Sequence, residues 1–126
     1  MQFVGIDHIV LTVKSIEKTI EFYCRGLGME EITFGQGRKA IRCGNQKINL
    51  HQVGKEFEPK AHKPTPGSTD ICFIVATPVS QVVTILEKMR IQIVEGPVER
   101  TGTHGKILSV YVRDPDQNLI EISNQI

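Results

Sequence analysis

The sequence predicts an α+β fold in which two βαβββ modules follow one another and form a curled mixed sheet. Three observations carry this. A strand rich in β-branched residues is followed by an amphipathic helix, and the pair occurs twice. Each pair is followed by short strand-like runs separated by turn residues. The strand signals of the second half can also be laid over those of the first. The period is about half the chain, which indicates a pair of modules and not a solenoid.

In the first module, Ile6-Asp7-His8-Ile9-Val10-Leu11-Thr12-Val13 reads as a strand with Ile9, Leu11 and Val13 on one face and His8 on the other. Ser15 is a candidate N-cap. Ile16, Ile20, Tyr23 and Leu27 follow at helical spacing until Gly26 and Gly28 punctuate the end. From Met29 to Val53 the pattern changes to short strands broken at Gly35-Gln36-Gly37 and Gly44-Asn45. The clearer runs are Ala40 to Cys43 and Lys47 to Val53.

Val53 to Thr69 is polar and carries Pro59, Pro64, Pro66 and Gly67, so it reads as a surface connection. The expected organisation is one domain, 1–126, with modules at about 1–53 and 69–126 joined by 54–68. In the second module, Asp70 to Val75 reads as a strand. Thr77 and Pro78 give an N-cap and first helical position, and Val82, Ile85, Leu86 and Met89 form one apolar helix face. Strands are expected at Ile91 to Val94, Leu108 to Val112 and Leu119 to Ser123.

Overlaid, His8-Ile9-Val10-Leu11 matches Asp70-Ile71-Cys72-Phe73, and Asn49-Leu50-His51 matches Leu119-Ile120-Glu121. The polar residues His8, His51, Asp70 and Glu121 therefore interrupt apolar strands at corresponding places. Each has an ordinary structural reading when taken singly: a satisfied core histidine, a turn residue, a solvated carboxylate. Together, two neutral imidazoles and two carboxylates make a shell suited to a divalent cation. Glu121 follows the turn Asp114-Pro115-Asp116-Gln117-Asn118, whose residue types favour tight backbone reversal.

Composition excludes several classes. The chain has 126 residues, a net charge of +1 and 23% charged residues of both signs, with no basic block for nucleic acid. No apolar run approaches a membrane span and no leader pattern opens the chain, so a cytoplasmic protein is expected. Cys24, Cys43 and Cys72 are widely spaced and read as buried free thiols.

The paired modules, the strand opening Asp7-His8-Ile9 and the run DPDQNLIEIS resemble the vicinal oxygen chelate superfamily, which includes glyoxalase I, extradiol dioxygenases, fosfomycin-resistance enzymes and bleomycin-binding proteins. Within it, KEFEPKA, GPVERTG and RDPDQNLIEISN are similar to glyoxalase-domain-containing proteins. The resemblance spans essentially the whole chain. It implies a glyoxalase-like fold around a metal cleft, with His8, His51 and Glu121 as metal ligands and Asp70 as a fourth ligand or a supporting group. The metal would be Zn, Ni, Mn or Fe. It also implies a small-molecule substrate, a homodimer, and Glu121 as the catalytic base, or Asp70 if displaced from the metal.

This chain departs from glyoxalase I at three points. Glyoxalase I offers His, Glu, His and Glu at the four places, whereas this chain offers His, His, Asp and Glu. The Arg that holds the glutathione carboxylate four residues after the first ligand is Thr12 here, and an Asn four residues after the second is Lys55. The last two losses weaken glutathione as the partner and leave the metal chemistry untouched. Arg100 and His104, in the Gly-rich stretch Arg100 to Lys106, are candidate substrate-binding residues on a loop that either closes over an anion or is a solvated hairpin. The implied function is a metal-dependent glyoxalase-like lyase or isomerase acting on adjacent oxygens. The alternatives are an extradiol-type ring-cleaving dioxygenase and a metal-free drug- or metabolite-binding protein.

Overall fold

A computed structural model describes all 126 residues and divides them into two compact units, Met1–Gly67 and Ser68–Ile126. Segment 54–67 thus falls within the first unit.

In the first unit, β1 (His8–Val13) is followed by α1 (Ile16–Ile20), which continues as a π-helical turn over Glu21–Gly26. Then come β2 (Glu30–Phe34), β3 (Arg38–Cys43) and β4 (Gln46–Gln52). The expected N-cap is in place, since Ser15 Oγ accepts from Lys18 N–H at 3.2 Å. Gly28 leaves the helical segment at φ +84, a conformation that glycine adopts without steric cost. The strands form one mixed sheet in the order β1-β4-β3-β2, with β1 and β4 parallel and the other pairs antiparallel. Leu11, Val13, Ile41, Ile48, Leu50 and Tyr23 are buried and make this unit's core. The alternate residues of the strands point to the other face, as the period of two requires.

The second unit repeats the plan: β5 (Asp70–Ile74), α2 (Val79–Lys88), β6 (Glu95–Gly102), β7 (Gly105–Arg113) and β8 (Leu119–Gln125), in the order β5-β8-β7-β6. Val79, Val82 and Leu86 of α2 are buried, as are Phe73, Val110, Val112, Ile120 and Ile122. Ile85 and Met89, expected on the same apolar helix face, are 43% and 50% exposed.

Two further local expectations are corrected. Pro78, not Thr77, is the N-cap of α2, and it makes no side-chain cap bond. The cap comes from β8 instead, where Asn124 Oδ1 accepts from Val79 N–H at 2.7 Å. Its Nδ2 donates to the carbonyls of Val75 and Thr77. The strand expected at Ile91 to Val94 begins only at Glu95, because the chain first leaves α2 through Arg90 at φ +58. Of the two readings of Arg100 to Lys106, the structure has the hairpin, and a tight one, since β6 runs to Gly102 and β7 starts at Gly105.

The turn before β8 fixes the register of the second sheet. Asp114 Oδ1 accepts from the backbone N–H groups of Asp116 and Asn118, and Asp114 Oδ2 accepts from Asn118 Nδ2. Asn118 Oδ1 in turn accepts from Thr69 N–H at 2.8 Å, and Leu119 N–H donates to Thr69 O at 3.0 Å. The start of β8 is thereby pinned beside the start of β5, which sets Asp70 opposite Leu119 and Cys72 opposite Glu121.

Candidate functional site

Glu121 projects from the polar face of the second sheet, where its neighbours are polar too. Ser109 Oγ donates to Glu121 Oε1 at 2.6 Å. Ser109 has a single hydroxyl proton, so in the 2.7 Å contact between Ser109 and Ser123 the donor is Ser123. Cys72 Sγ lies 3.4 Å from Ser123 Oγ. Tyr111 lies directly opposite Glu121 in the ladder, and Arg100 Nε donates to the Tyr111 hydroxyl at 3.1 Å. Burial and then the Glu121 carboxylate beside it raise the Tyr111 pKa, which keeps the phenol protonated. Partial burial likewise pushes the Cys72 thiol up, although Cys72 is exposed, and Cys24 and Cys43 half-buried, where the sequence predicts buried thiols.

The sequence-expected residues of this unit therefore divide. Asp70 and Glu121 share a face as diagonal neighbours. Arg100 lies in β6, not in a loop, and donates to Tyr111, the residue opposite Glu121. His104 sits exposed at the hairpin tip, at the far end of β7 from Tyr111. Sequence reasoning missed Ser109, Tyr111 and Ser123. Their alternation along β7 and β8, on the face opposite Val110, Val112 and Ile122, was the available signal.

In the first unit, Asp7 Oδ2 lies 2.8 Å from His8 Nδ1. With Nδ1–H donating to that carboxylate, Nε2 is left as the free lone pair, the arrangement that commonly orients a metal-ligating imidazole. His8 lies opposite Lys47, whereas His51 lies opposite Thr12. The two histidines share a face but stand four residues apart along the strands. Within either unit, no three His, Cys, Asp or Glu side chains converge on one point.

Strand register also corrects the overlay of the modules. His8 faces Lys47 and Asp70 faces Leu119, so Glu121 corresponds to Asn49 and His51 corresponds to Ser123. The sequence overlay was displaced by one pleat. Asn49 is 6% exposed and its Oδ1 has no hydrogen-bond partner. His51 is buried, with Nε2 3.5 Å from Arg38 Nη2 and its ring edge-on to Phe57. Burial, and then the Arg38 charge, hold its pKa below the usual histidine value.

The chain matches the Glyoxalase/Bleomycin resistance protein/Dioxygenase superfamily over residues 5–122 and belongs to it. It is 60% identical over 121 residues to virulence protein STM3117 of Salmonella typhimurium, covering 96% of this chain and 84% of that one. It is 58% identical over 120 residues to the glyoxalase domain-containing protein RDO1 of Mycosarcoma maydis, covering 95% of this chain and 68% of the other. The crystal structure of the Salmonella protein superposes with a TM-score of 0.98, at 58% identity and full coverage of both chains. No helix is long and apolar enough to cross a membrane.

Proposed function

We propose that the protein is a divalent-metal-dependent, glyoxalase-like lyase or isomerase acting on a small substrate with two adjacent oxygens. The observation that carries this reading is Glu121, a carboxylate fixed at one oxygen by Ser109 and opposite Tyr111 in the ladder. The donor chemistry fits a divalent ion: an imidazole at His8 oriented by Asp7, and the carboxylates Asp70 and Glu121. The family resemblance is what groups these three as the proposed ligands. His51, expected from the sequence as a further ligand, has a guanidinium beside Nε2, and a cation there repels a second cation; contact with substrate suits it better.

A bound metal supplies Lewis acidity, polarising a carbonyl oxygen of the substrate. Glu121 moves a proton between neighbouring carbons, while Ser109 holds its carboxylate in position. Thr12 is buried opposite His51, so the first strand offers no cation for a glutathione carboxylate.

Metal analysis of protein purified without chelator, followed by methylglyoxal assays with and without glutathione, tests the reading. Stoichiometric metal and metal-dependent turnover are expected. Absence of bound metal together with tight binding of a planar drug overturns it. Oxygen uptake on catechols transfers the chemistry to ring cleavage by iron.

A further inference from the structure

Four basic side chains project from β3 and β4, and they fall into two pairs. Lys39 binds Glu31 at 2.9 Å and Arg42 binds Glu30 at 3.5 Å, both at the surface. Arg38 and Lys47 have no carboxylate within ion-pair distance, although both are half-buried. Aromatic rings hold them instead. The Arg38 guanidinium carbon lies 4.3 Å from the Phe57 ring centre and 5.1 Å from that of Phe34. The Lys47 ammonium lies 3.8 Å from the same Phe34 ring. Cation–π contact of this kind orders a charge without neutralising it.

Phe34 thus contacts two cations that no carboxylate neutralises. Glu56, the carboxylate close enough to act on His51, is committed to Gly54 N–H at 2.7 Å and to Lys60 at 3.2 Å. Asn49 shares the face with Lys47 and His51, and its buried Oδ1 lacks a donor. A buried amide oxygen left without a hydrogen bond is costly, and a ligand hydroxyl would satisfy it.

We propose that Arg38 and Lys47 bind a carboxylate of a small hydroxy acid, with Asn49 accepting from its hydroxyl. This rests on the metal reading above and narrows its substrate class. A carboxylate is favoured over a phosphate because the planar guanidinium fork matches its two oxygens. Phosphate sites are commonly built on backbone N–H groups at a glycine-rich helix start, and nothing of that kind flanks Arg38.

Malate and lactate are the probes, since both carry a 2-hydroxy acid and malate alone adds a second carboxylate. Calorimetry is run on wild type, Arg38→Met and Arg38→Lys, with Mn²⁺ and after chelator treatment, and with inorganic phosphate as a third ligand. Wild type should bind malate at least ~10-fold more tightly than lactate or phosphate, because charge-assisted bonds are the strong ones. Arg38→Met should erase that preference while leaving lactate unchanged, and Arg38→Lys should restore part of it. Equal affinity for malate and lactate in wild type, equal losses for both in Arg38→Met, or phosphate binding as tight as malate would each overturn the proposal. If Mn²⁺ does not bind but malate still binds metal-free protein in an Arg38-dependent way, the metal reading falls and the carboxylate site stands.

Discussion

Ser109 Oγ donates to Glu121 Oε1 at 2.6 Å, a bond between two strands that fixes one oxygen of the carboxylate. If Glu121 carries the proton, Glu121→Gln should lower turnover by about 10²–10⁴-fold and change KM little, because general base catalysis acts in the transition state. Ser109→Ala should cost less, on the order of 10-fold, since the carboxylate remains but loses its anchor. Steady-state kinetics of the two variants decide it; equal losses would assign Glu121 a structural role.

The Asp7 carboxylate, 2.8 Å from His8 Nδ1, is exposed and contributes little to folding. Asp7→Asn should weaken Mn²⁺ affinity about 10–100-fold, the usual cost of losing a ligand's orienting partner, with the melting temperature unchanged. Calorimetric titration checks this, with His8→Ala as the reference for complete loss.

Much of this was legible in the sequence, and what was not has physical causes. The strands and helices announced themselves through periods of two and 3.6, and Asp114 to Asn118 declared itself a turn. The overlay of the modules slipped by one pleat because a period-two pattern is unchanged by a shift of two residues. Polar and apolar faces agree equally well whether Glu121 is matched to His51 or to Asn49. Only the ladder pairing of His8 with Lys47 distinguishes the two. The N-cap of α2 was misplaced because the capping side chain, Asn124, lies in the last strand, far from the helix in sequence. The contact of Arg38 with Phe57 was invisible for the same reason.

Asn124 makes three bonds, to Val79 N, Val75 O and Thr77 O. Asn124→Ala removes all three and leaves a helix N-terminus uncapped. The expected loss is about 1–3 kcal/mol, read from the midpoint of urea unfolding. Thr77→Ala should change stability by less than about 0.5 kcal/mol, since that side chain is not the cap.

A homodimer is expected from the family resemblance, and an apolar surface is available for it. Phe3, Val4 and Ile6, ahead of β1, are 84%, 98% and 67% exposed. Static light scattering should give about twice the 14.1 kDa chain mass at micromolar concentration. Phe3→Asp with Val4→Asp should shift the mass toward one chain, and a monomer in the wild type would end the idea.

His51 gives the protein a pH dependence whose sign is fixed by its surroundings. Burial and the nearby Arg38 lower its folded-state pKa, Lys60 adds to the effect, and Glu56 opposes it. In the unfolded chain the imidazole titrates near ~6.5. Between the two values the unfolded state binds more protons than the folded one. Stability is therefore fully present above about pH 6.5 and is lost as pH falls toward the depressed folded value. A single group of this kind contributes a slope of at most about 1.4 kcal/mol per pH unit. Urea midpoints measured from pH 8 to pH 5 should fall on the acid side in wild type, and the fall should be smaller in His51→Gln, which has no proton to gain. Arg38→Met should also reduce it, because removing the neighbouring cation lets His51 protonate more readily in the folded state. A pH profile identical in all three proteins would show that other groups govern acid unfolding.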